Sequence, residues 1–215
     1  MDQPQIITSA PVKPSKKKII AASIVGILIG IWIVFSVLVE LEAFPQKETL
    51  YSEGQRRALI IFHPSWKYHF QEDLTSAFAK GLHVAGWAVD RITTGAKDLT
   101  DFYSYDMYVF GTNTYYWRPD LPTKRFLAGI DLRGKPAVGI VSGPGYTERA
   151  EAILKELLVR TNASAVAIHA FSLWSPNKES LIPNFNRQAA VESALKLGEE
   201  IGKELRTIPM LLPLP

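Results

Sequence analysis

The feature that most constrains this 215-residue chain is the stretch Ile19 to Val39, 21 consecutive residues without a charge. A helix rises about 1.5 Å per residue, so a run of this length covers roughly 30 Å, the thickness of a bilayer's hydrocarbon core. The run is apolar on every face, whereas the core helix of a soluble domain carries a single apolar stripe. A secretory signal core is shorter, about 7–15 residues, and ends at a small-residue cleavage site. Here Glu40-Leu41-Glu42 follows instead. The stretch therefore reads as an uncleaved single-pass transmembrane anchor, with the membrane lipid bilayer as its first partner. Lys16, Lys17 and Lys18 precede it, and Glu40, Glu42, Lys47 and Glu48 follow it. The positive-inside rule then predicts a cytoplasmic N-terminus and a soluble domain on the non-cytoplasmic side. Ala22, Gly26 and Gly30 recur at four-residue spacing and form a small-residue stripe suited to a dimer. Small residues are also common in any membrane helix.

Residues 1–18 read as a flexible basic tail, with Lys13, Lys16, Lys17 and Lys18 against Asp2. That excess equals the formal charge of the whole chain, +3, so the remainder is neutral. A nucleic-acid role asks for a basic face on the folded body, and none is visible. There is no cysteine, which excludes disulfides, thiolate metal sites and a cysteine nucleophile. Asn162-Ala163-Ser164 is a glycosylation sequon, of consequence only for a luminal domain in a eukaryote.

Residues 40–55 read as a juxtamembrane linker. Beyond them short apolar runs alternate with amphipathic stretches, the pattern of βαβ units on a parallel sheet. Strands are predicted at 58–62, 88–92, 108–110, 137–141 and 165–171. Helices are predicted at 72–85, 122–128, 147–160 and 187–205, with apolar residues at helical spacing on one face. Residues 207–215 form an apolar, proline-rich tail. Five strands in this sequence suit a doubly wound five-stranded parallel sheet, an α/β fold. Such sheets bind ligands at the carboxyl ends of their strands, where strand order reverses. The loops after the first, third and fourth strands are therefore the candidate site.

The loop after the third strand reads Gly111-Thr-Asn-Thr-Tyr-Tyr-Trp-Arg-Pro119, preceded by Tyr105-Asp106 and followed by Pro122 and Phe126-Leu127. The loop after the fourth reads Ser142-Gly-Pro-Gly-Tyr146, on a strand that begins after Lys135. In order and spacing these segments, with Leu197-Gly198 in the closing helix, resemble the flavodoxin family. The resemblance spans residues 56–206. It implies strand order 2-1-3-4-5, an FMN cofactor, and electron transfer or quinone-type reduction with a membrane redox partner. The residues themselves suit such chemistry. A flavin ring needs aromatic faces and backbone donors. Tyr115, Tyr116 and Trp117 offer the aromatics, Thr112, Asn113 and Thr114 add small hydrogen-bonding groups, and Gly143 and Gly145 permit close approach. Ser142 and Tyr146 flank those glycines.

The first loop departs from the family's Ser/Thr- and Gly-rich phosphate turn. It reads His63-Pro-Ser-Trp-Lys-Tyr-His69, where Pro64 lacks an amide donor and Trp66 and Tyr68 are bulky. Two readings stand. In one, Ser65, Lys67 and His69 at the helix start make a modified anion site. In the other, the domain has lost FMN and serves as an interaction module docking a membrane complex. The four histidines show no metal-ligand spacing, and Ser142 lies outside the G-x-S-x-G nucleophile pattern.

Overall fold

The structure, a computed structural model, describes residues 15–38, 40–65, 69–96, 100–174 and 186–207. It divides into two units, residues 1–39 and residues 40–215. The first unit holds helix α1 (Lys16–Leu38), 23 residues with no buried side chain. This helix is long and apolar enough to cross a membrane. Gly26 and Gly30 are open, with nothing within 4 Å of where a Cβ would stand.

The second unit is an α/β domain. Its elements are β1 (Lys47–Tyr51), β2 (Arg56–Phe62), α2 (Phe70–Val84), β3 (Trp87–Thr93), a 3₁₀ turn (Phe102–Ser104), β4 (Met107–Tyr115), β5 (Arg118–Pro119), α3 (Leu121–Ala128), β6 (Ala137–Gly143), α4 (Glu148–Arg160), β7 (Val166–Ser172) and α5 (Asn186–Thr207). The sheet runs β1-β3-β2-β4-β6-β7, with β5 folded onto β4. β2, β3, β4, β6 and β7 are mutually parallel. They are the five expected strands in the expected flavodoxin-like order.

Successive strand residues point to opposite faces, and both faces of the central strands are covered. Ala58, Ile60, Val109 and Ile140 pack with Leu74, Phe78, Leu82 and Trp87 under α2 and α5. Leu59, Ile61, Phe110 and Val141 pack with Ala150, Leu154 and Leu158 of α4 on the other side. This burial explains the near-continuous apolar runs, which carry no alternation to distinguish one face from the other.

Three features depart from expectation. The segment read as a linker contributes β1, which pairs antiparallel with β3. Thr49 Oγ1 donates to Asp90 Oδ1 at 2.6 Å, and Arg57 and Tyr105 donate to Asp90 Oδ2. Burial pushes the Asp90 carboxyl up, but these hydrogen bonds and the Arg57 charge outweigh it and hold it below the usual carboxylate range. The third strand continues through residues read as a loop. Thr112 and Asn113 pair with Val141 and Ser142 of β6, and Thr114 and Tyr115 pair with β5. The sheet thus has seven strands rather than five.

α2 and α5 approach closely through glycines. A Cβ on Gly81 would stand 2.0 Å from the Leu195 carbonyl oxygen, and one on Gly198 2.2 Å from that of Phe78. Arg187 pairs with Asp73 at the end of the same interface. Gly198→Ala forces the helices apart and is expected to cost about 2–3 kcal/mol. Urea unfolding in detergent, followed by the near-ultraviolet dichroism of Trp87, should show a lower midpoint with an unchanged slope.

Candidate functional site at the strand carboxyl ends

The order reverses between β2 and β4, so the crevice lies between the loops that leave those strands. Asn113 stands at its centre, buried at the end of β4. Its Nδ2 donates to the His63 carbonyl at 2.9 Å. Its Oδ1 accepts from Ser65 Oγ at 2.8 Å and from Ser142 Oγ at 3.2 Å. One side chain therefore ties together the ends of β2, β4 and β6. Three predicted site residues, Ser65, Asn113 and Ser142, meet here.

Thr112 is buried and serves α3 instead. Its hydroxyl donates to Asp120 Oδ2 at 2.7 Å, and the same oxygen accepts from Asn113 N at 2.8 Å. Asp120 Oδ1 accepts from Thr123 N and caps α3. The spacing of Asp120 before Pro122 and Thr123 is a helix-start signature, and it was the available signal for this residue. Thr114 Oγ1 is buried without a hydrogen-bond partner among the described residues. Gly143 makes room for Thr147 and Thr114, because a Cβ there would come within 2.9 Å of Thr147 Cγ2.

The aromatic residues divide into two groups. Tyr115 is partly buried, and burial pushes its phenol upward, with the charges of Asp120, Glu40 and Glu72 adding to that shift. Tyr116 and Trp117 form the two-residue turn between β4 and β5, and both have positive φ, 51° and 57°. Left-handed backbone costs a non-glycine residue roughly 1–2 kcal/mol. Hairpin turns of this kind ordinarily use Asn-Gly. Trp117 is 61% exposed, and Tyr146, at φ 54° in the loop after β6, is 80% exposed. Gly145 precedes it in the same loop.

At the start of α2, His69 takes φ 48° and makes no side-chain cap. Glu72, read from the sequence only as the start of this helix, turns its side chain back onto the loop. Its carboxylate accepts from Ser65 N at 3.2 Å and lies 3.3 Å from His69 Nδ1. Ser65 Oγ in turn accepts from Gln71 N at 3.0 Å. The Ser65 amide beside this helix start thus faces a carboxylate of the chain itself, and the Gln71 amide faces the Ser65 hydroxyl. Lys67, the expected phosphate partner, lies outside the described residues, as do Trp66 and Tyr68. No three or more His, Cys, Asp or Glu side chains cluster as a metal site among the described residues.

Comparison with solved structures assigns the fold. The domain is similar to an NAD(P)H:quinone oxidoreductase from Methanothermobacter marburgensis, at TM-score 0.53 and 16% identity, covering 68% of this chain and 96% of that one. It is similar to a flavodoxin from the domain Archaea at TM-score 0.51 and 14% identity, covering 70% and 99% respectively. It also matches the rubredoxin oxygen:oxidoreductase of Desulfovibrio gigas at TM-score 0.52 and 12% identity, covering 73% of this chain and 38% of that larger one. The domain has a flavodoxin-like fold. No protein-family model matches the chain, and no curated protein sequence matches it.

Asp120 supports three donors from inside the protein, so its removal leaves them buried and unpaired. Asp120→Ala should cost about 2–4 kcal/mol, read as a lowered urea midpoint. Asp120→Asn, which keeps one acceptor oxygen, should recover part of that loss.

Proposed function

We propose that this protein is a membrane-tethered flavodoxin-like redox module that binds FMN at the crevice between β2, β4 and β6. The observation that carries the reading is the construction of that crevice. A buried amide, Asn113, anchors three strand ends, and exposed aromatics stand on the two loops beside it. Similarity in fold to a flavodoxin and a quinone oxidoreductase supports the same class. Bound FMN would supply one- or two-electron transfer at its ring.

The residues fit the ring end of such a ligand. Tyr116, Trp117 and Tyr146 present aromatic faces, and Thr114 brings a hydroxyl with no partner of its own. The backbone of Gly143 to Tyr146 would line the ring, and Asn113 and Ser142 would brace that wall. The phosphate end is contested. Ser65 and the start of α2 would hold the phosphate, with Lys67 as a point charge. Glu72 already accepts from Ser65 N, so the phosphate has to displace a like-charged group. Its side chain is 22% exposed, and a first-turn glutamate can swing into solvent. The tether confines the module near lipid-soluble acceptors such as quinones, or near a membrane redox complex, and raises their effective concentration. The soluble domain would then stand on the non-cytoplasmic side, with α1 pairing into a dimer through Ala22, Gly26 and Gly30.

The contact between Glu72 and Ser65 favours a second reading as well. A fold that fills its own anion site can dispense with the cofactor and act as an interaction module.

Titration of the full chain in detergent with FMN and with riboflavin, followed by flavin fluorescence, separates the two. The redox reading expects saturable quenching by both flavins. It also expects Glu72→Gln to tighten FMN by about 5–30-fold, the range of one to two kcal/mol, while leaving riboflavin nearly unchanged. No binding of either flavin by either variant would leave the interaction module.

A further inference from the structure

We infer that the carboxyl edge of the sheet lies against the surface of a lipid bilayer, with its exposed aromatic side chains seated among the headgroups. This surface rests on the reading of α1 as the membrane span and is independent of what the crevice holds.

Four large aromatic residues stand exposed along that edge. Tyr116 and Trp117 are 42% and 61% exposed at the tip of the β4–β5 turn, and Tyr146 is 80% exposed after β6. Trp174, just past β7, is 76% exposed, and its amide donates to the Pro144 carbonyl at 3.2 Å. These positions top three adjacent strands, so they form one rim. Tyrosine and tryptophan, with an apolar body and a polar tip, are the residues that favour the membrane–water interface.

The covalent chain says what covers the rim. A single residue, Val39, separates Leu38, where the apolar helix ends, from Glu40. Consecutive Cα atoms are 3.8 Å apart, so Glu40 stands within about 8 Å of the end of the span. Glu40 is itself fastened to the rim. Its carboxylate accepts from the Leu121 amide at 2.6 Å and lies 3.0 Å from Arg118, the residue that follows Trp117. Glu42 pairs with Arg125 of α3 at 2.9 Å. The same short segment exposes Leu41 at 52% and Phe44 at 88%. Its far end is held by Thr93, which donates to the Phe44 carbonyl and accepts from the Gln46 amide. With α1 in the bilayer, a chain fastened at Glu40 keeps that part of the rim within covalent reach of the headgroups.

The chain has no cysteine, so single labels report on single sites. Phe44→Cys, Trp117→Cys and Tyr146→Cys, each carrying a nitroxide, would be reconstituted as full chains into phosphatidylcholine vesicles. Val159→Cys serves as the reference, since Val159 is 58% exposed near the end of α4, at the opposite edge of the sheet. The readout is collision with oxygen, which concentrates in lipid, relative to collision with a water-soluble nickel chelate. The inference expects this ratio to be several-fold higher at 44, 117 and 146 than at 159. Equal ratios at all four positions would overturn it, as would a rim made inaccessible to both reagents, which would signify a protein partner. Near-ultraviolet dichroism establishes that each variant is folded. Should the hairpin not tolerate Trp117→Cys, positions 44 and 146 decide the matter.

Discussion

The backbone of β2 is hydrogen-bonded to β3 along one side and to β4 along the other, and the side chains on both its faces are buried. A parallel strand in this position can be satisfied only if helices cover both faces of the sheet. The two crossover directions that achieve this must part company somewhere, and they part between β2 and β4. The crevice is therefore a consequence of burying β2, and the polar groups exposed at its mouth need partners. Asn113, with its amide oxygen and nitrogen both engaged, meets that need for three loops at once.

Much of this architecture is legible in the residues. Ala58 to Phe62 and Ala137 to Val141 are apolar without interruption, and the stretches between them repeat at helical spacing, which together indicate a two-sided parallel sheet. The parts that are not legible share a physical cause. Lys47 to Tyr51 has too few apolar residues to announce a strand, and it becomes one only because β3 presents an unpaired edge with Asp90 waiting for Thr49. Thr112 and Asn113 read as part of a polar loop, because their partner β6 supplies the pairing from further along the chain, and Thr114 and Tyr115 are paired only by the two-residue strand β5.

The candidate site was legible in a different degree. Ser65, Asn113 and Ser142 are drawn together as their loop positions suggested. Thr112 is turned toward Asp120, a relation that local pattern shows only as a helix cap. Glu72 is invisible as a site residue, since an acid in the first turn of a helix is ordinary. Its contact with Ser65 exists only once β2 delivers that serine to the start of α2. The aromatic turn is the reverse case. Tyr116 and Trp117 stand out in the sequence, and the backbone they occupy is one that ordinarily favours glycine.

β1 has a consequence for how the domain can exist apart from the apolar helix. The strand is built from the stretch that connects the apolar helix to the rest of the chain, so the leash is also a margin of the sheet. A protease cutting between Ser52 and Gln55 would shed a body stripped of its outermost strand, with the β3 edge laid bare for a stranger to pair with. Shedding an intact body requires a cut upstream of Lys47. For this molecule, a form cut away from the apolar helix differs by more than length.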